Sequence, residues 1–132
     1  MDYTNKLENI EKIKVAVEVF ECLKKTYESL HNKVCSAGYI HRNKLISHVY
    51  SDYTMHESLI KAKSEWELLK FEYNIHKKLF DFLITHRDLY GYFPDYKKMI
   101  FEFDDLLLKS IAKEEFEIAS ILKRWRIKFA DP

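Results

Sequence analysis

Two glycines and two prolines are all that this chain of 132 residues has for breaking regular structure. That scarcity constrains the fold more than any other feature. A sandwich or barrel of strands needs turn residues every ten or so positions, and here they are missing. Glycine-rich loops that cradle phosphate are excluded for the same reason. What remains is a chain of long helices joined by short connections. The expected fold is all-α, an antiparallel bundle of three to five helices with long heptad-like stripes. The length is that of a single helical domain, 1–132, large enough to bury a core with no metal or disulfide to staple it.

Apolar periodicity places the helices. Asn5-x-x-Glu8 reads as a capping box that opens the first one. Leu7, Ile10, Ile13, Val17, Phe20, Leu23, Tyr27, Leu30 and Val34 then recur at three and four residues, and Val15, Val19 and Cys22 widen the stripe. Gly38 is expected to end this helix as a left-handed cap. A shorter pattern follows, Ile40, Leu45, Ile46, Val49, Tyr50 and Tyr53, and Thr54-x-x-Glu57 is a second capping box.

Leu59, Ala62, Trp66, Leu69, Tyr73, His76, Phe80 and Leu83 form the next stripe. Leu68, Phe71, Ile75, Leu79 and Phe82 lie beside it, as expected of a helix at the centre of a bundle. Whether 43–90 is one helix or two, with a break near Ser51-Asp52, is left open by the pattern. Gly91-Tyr92-Phe93-Pro94 is the clearest breaker, with Pro94 suited to the first turn of a new helix. Beyond it, 95–129 reads as one helix or as a hairpin turning near Lys113-Glu114.

Charge and cysteine usage narrow the function. Lys+Arg 22 against Asp+Glu 21 gives a net charge of +1 with the signs interspersed, which argues against a nucleic-acid coat or a membrane-surface protein. The polar start, Met1-Asp2-Tyr3-Thr4-Asn5, carries no leader pattern, and no apolar run reaches the roughly 20 residues of a membrane span. Cys22 and Cys35 are unpatterned and expected as reduced thiols in the cytoplasm. Glu28-x-x-His31, with Glu21 on the same face, has the spacing of a di-iron ligand pair. A di-iron bundle needs two such pairs and two further carboxylates, so neither a metal nor another cofactor is expected.

Three short segments carry sharper signals. Arg42-Asn43-Lys44-Leu45-Ile46-Ser47-His48-Val49-Tyr50 resembles the Arg-x(4–6)-His signature of the HEPN superfamily, which includes metal-independent ribonucleases. The resemblance implies that His48 exchanges a proton with an RNA hydroxyl while Arg42 stabilises charge on the phosphate. The plainer alternative turns Leu45, Ile46 and Val49 to the core and leaves Arg42 and His48 solvated.

Residues 106–124, through Glu115-Phe116-Glu117, Ala119-Ser120, Leu122 and Lys123, resemble a degenerate UVR motif. That family pairs excision-repair subunits through a helical hairpin. The resemblance implies that Phe116 plugs the turn while the small pair lets the two helices approach. The plainer alternative, and the favoured one, is an amphipathic helix whose apolar stripe, Phe116, Ala119, Leu122, Trp125 and Phe129, is simply core. Finally, Lys123, Arg124, Arg126 and Lys128 surround Trp125, a composition that suits a nucleic-acid backbone and a stacked base. The same cations also suit the last turn of any helix.

The favoured reading is a cytoplasmic helical protein that binds another macromolecule as adaptor, regulator or assembly factor, without its own catalysis. Nine Tyr and nine Phe supply rings both for a core and for a partner surface. Tyr96, Phe116, Arg124, Trp125 and Arg126 are the candidate binding residues. The expected partner is another protein or a second copy in a homodimer. A HEPN-like ribonuclease or toxin component using Arg42 and His48 is the first alternative. A nucleic-acid-binding accessory protein using the C-terminal basic cluster is the second.

Overall fold

The computed structural model describes the backbone of residues 2–129 and the side chains of residues 10–129. Four helices and no strand occur among them, so the fold is all-α. They are α1 (Asp2–Tyr50), α2 (His56–Thr85), α3 (Tyr96–Ala112) and α4 (Phe116–Lys128). Contacts gather into two compact units, one from Met1–Lys24 with Lys78–Pro132 and the other from Lys25–Lys77.

In the first unit the core is aromatic. Phe20, Phe93, Phe103, Leu23, Leu83 and Met99 are the largest fully buried side chains, and burying each contributes about 1.5–3 kcal/mol. Phe20 stacks on Phe80 at 5.2 Å and meets Phe93 at 5.7 Å, while Phe103 stands edge-on to both Phe82 and Phe129 at 5.9 Å. Phe93 reaches this core because the preceding loop is tied to one side chain. Asp88 Oδ1 accepts the N–H groups of Tyr90 and Tyr92, each at 2.9 Å, and Gly91 takes the left-handed turn at φ +84°.

Helices α3 and α4 form an antiparallel hairpin. The break falls at Lys113-Glu114, where the sequence allowed it. Glu115 N–H bonds the Ser110 carbonyl at 2.9 Å and Glu114 N–H bonds that of Ile111 at 3.0 Å, a Schellman closure with Glu114 left-handed at φ +60°. Glycine is the usual residue at such a position, and a side chain there costs roughly 1–2 kcal/mol. Set against the backbone entropy that glycine loses on folding, Glu114→Gly is expected to stabilise this unit by about 0.5–1 kcal/mol. Its urea midpoint should rise at unchanged slope; a lower midpoint would show that the Glu114 side chain has a stabilising role outweighing the strain.

The second unit is a pair of antiparallel helices, the last half of α1 against the first part of α2. Tyr27 stacks on Tyr73 at 5.3 Å and His41 stacks on Trp66 at 5.0 Å. Four expectations are corrected by the helix bounds. Gly38 does not end α1, which continues for another three turns. A Cβ on Gly38 would lie 2.9 Å from the Trp66 indole nitrogen, so the glycine serves the close approach of a ring. Helix α1 opens at Asp2, ahead of Asn5, so Asn5 lies within the helix; the side chains of Asn5 and Glu8 lie outside the described residues. The second capping box falls one residue early, since α2 opens at His56 and the Met55 carbonyl accepts its first bond. Pro94 likewise precedes α3 by two positions, with Asp95 as the N-cap.

Candidate protein-docking site

The turn that ends α1 is built without glycine. Tyr53 N–H bonds the His48 carbonyl at 2.8 Å, and Asp52 N–H bonds the Val49 carbonyl at 3.3 Å. This is a second Schellman closure, and it puts two successive residues in the left-handed region, Asp52 at φ +59° and Tyr53 at φ +65°. Conformations of that kind cost of order 1–3 kcal/mol each and persist only where the surroundings hold them.

His48 is what holds them. It is buried, its Nδ1 accepts the Met55 N–H at 3.1 Å, and its carbonyl also accepts the Ser51 hydroxyl at 3.0 Å. Tyr53 stands edge-on to the imidazole at 5.2 Å and the His56 ring lies 6.0 Å away. Because Nδ1 accepts, the ring proton sits on Nε2.

Around this reinforced turn the surface is apolar. Tyr50 is 85% exposed, Tyr53 68% and Tyr39 67%. Ile40, Leu45, Ile46, Val49 and Ile60 are each about half bare. At 150–250 Å² per ring, the three tyrosines alone leave roughly 400 Å² accessible at this end of the hairpin. The five aliphatic side chains come on top of that. Bare apolar side chains occur elsewhere too, at Leu89 and Tyr90 in the loop before α3 and at Phe101, Leu108, Phe116 and Ile127 on α3 and α4.

The residues singled out from sequence fall elsewhere. Leu45, Ile46 and Val49, read as core, are exposed, and His48, read as solvated, is buried. Arg42 is exposed on α1. Six positions along a helix turn the chain by about 600°, so Arg42 and His48 leave it about 120° apart and share no face. The structure therefore brings the pair to no common cleft within one chain.

Tyr96 and Trp125 are buried, which removes them from any docking surface. Arg126 is committed to Asp104, with Nε–Oδ1 2.7 Å, a strut between α4 and α3. Phe116 and Arg124 are exposed, so of the five candidate binding residues only these two can meet a partner unaided. Phe116, being 63% bare, does not plug the α3–α4 turn. Of the small pair, Ala119 is buried and Ser120 is exposed. In the basic cluster, Lys123 and Lys128 are exposed, the latter 5.3 Å from the Trp125 ring, with Glu114, Glu115 and Glu117 exposed nearby.

Glu28 and His31 are exposed, and His31 packs on Tyr73 at 5.6 Å. Among the described residues no group of three or more His, Cys, Asp or Glu is placed to hold a metal, and no helix is long and apolar enough to cross a membrane. No family model matches the chain, and no curated protein or solved structure matches it either.

Proposed function

We propose that this chain works by docking a protein on the tip of the α1–α2 hairpin, as an assembly or adaptor factor of the cytoplasm without catalysis of its own. One observation carries the reading: a large apolar surface, rich in tyrosine, sits on a turn whose two left-handed residues are held in place by a buried histidine. Interface hot spots favour Tyr because it offers a large, stiff contact area at low entropic cost. Strain that is held in place, rather than relieved by glycine, keeps such a surface in one shape.

The charges of 39–60 are Arg42, Lys44, Asp52 and Glu57, which cancel. A nucleic-acid surface would be skewed to the positive, so a protein is the partner this chemistry supports.

A photo-crosslinking residue at position 50 of the full chain tests the reading in native extract. A discrete protein adduct is expected, and Ile46→Asp should reduce it at least about tenfold, as loss of a hot-spot contact does. A probe at exposed Lys33 should give no such adduct. Equal adducts from positions 50 and 33, or an adduct indifferent to Ile46→Asp, would sink the proposal.

A further inference from the structure

We infer that the occupant of this surface is a second copy of the chain, whose hairpin packs face to face on the first to complete an antiparallel four-helix bundle. The inference rests on the tip being a docking surface and names what docks there.

Burial within 25–77 is the first reason. Only Leu30, Ala62 and Ile75 are buried apolar side chains in that unit. Two amphipathic helices form half the interior of a four-helix bundle, and a stable bundle hides both halves. A second hairpin of the same length supplies the missing half without mismatch.

Register is the second reason. On α1, Tyr39 and Ile46 are seven residues apart, and so are Arg42 and Val49, the spacing of a seam between helices. On α2, Ile60, Ser64, Glu67 and Phe71 follow one another at four, three and four. All eight are exposed. Measured from the residues that meet across the hairpin, the α1 set is turned by roughly 60–140° and the α2 set by roughly 110–170°, in the same rotational sense. For antiparallel helices that is one and the same side of the pair.

Size and charge agree. On that side Tyr39, Ile46, Val49, Ile60 and Phe71 offer roughly 400 Å² of apolar surface, about the apolar share of the 800 Å² that each partner brings to a standard interface. A two-fold contact lays a patch against itself, so a patch of one sign repels its copy. Here the exposed face carries Arg42 on α1 and Glu67 on α2, opposite charges that a two-fold can pair.

Sedimentation equilibrium on the full chain decides the matter. The wild type is expected at twice the 16.0 kDa chain mass. Ile46→Glu with Tyr50→Glu should weaken the dimer at least about a hundredfold, since each change acts twice across a two-fold. Both side chains are exposed, so helix content by circular dichroism should stay at the wild-type level. Phe101→Glu, on the outer face of α3 and 75% exposed, should leave the dimer intact. A wild type that stays monomeric to its solubility limit overturns the inference, while an adduct at position 50 would still show a different protein docking on the tip. A dimer unmoved by the double change, or broken by Phe101→Glu, overturns it equally.

Discussion

Phe103→Ala is expected to destabilise the first unit by about 3–5 kcal/mol, the range for truncating a buried aromatic ring. Phe103 is fully buried and stands edge-on to Phe82 and Phe129 at 5.9 Å, so its loss empties a space bounded by rings that cannot collapse into it. A domain of this size is stable by only about 5–15 kcal/mol, so the change consumes a large share. Phe101→Ala, two positions earlier on the same helix and 75% exposed, should move stability by less than about 0.5 kcal/mol. Urea titration followed at Trp125, with Trp66 replaced by Phe in every chain compared, measures the difference. Equal effects at the two positions would mean that α3 is turned the other way.

That contrast shows what the sequence made legible. Tyr96, Met99, Ile100 and Phe103 recur at three, one and three residues and form the buried face of α3, so periodicity identified it. The same periodicity runs through Ala119, Leu122 and Trp125, which are buried as well. The ring of Trp125 and the arginines beside it also suit an interface, and composition alone does not say which use the fold makes of such a ring.

Helix ends were harder to read because this chain assigns glycine and the left-handed turns to different jobs. Gly38 lies inside a helix to admit Trp66, while Asp52, Tyr53 and Glu114 take the conformations that glycine ordinarily serves. No pattern of residue types announces a Schellman turn made of Asp and Tyr. The bare apolar end of the α1–α2 hairpin was missed for a related reason. Ile40, Leu45, Ile46, Val49 and Tyr50 fall on several sides of α1, a pattern that one buried face cannot absorb. That excess over a single stripe was the available signal.

The second large effect lies at that tip. His48→Ala is expected to cost about 2–4 kcal/mol in the second unit, because the Met55 N–H loses its acceptor and two left-handed residues lose the ring packed beside them. His48→Asn should recover most of the loss, since a side-chain amide oxygen can stand about where Nδ1 stands and accept the same N–H. Urea titration followed at Trp66, with Trp125 replaced by Phe, compares the three chains. An Asn variant no better than Ala would show that the hydrogen bond is not what secures the turn. The same pair of variants links stability to docking. If the turn sets the shape of the surface carrying Tyr50 and Tyr53, association should weaken in the Ala variant and return with Asn, although an amide cannot move a proton as an imidazole can. Association lost equally in both would mean that the imidazole itself meets the partner, and the turn would then be the means of presenting it.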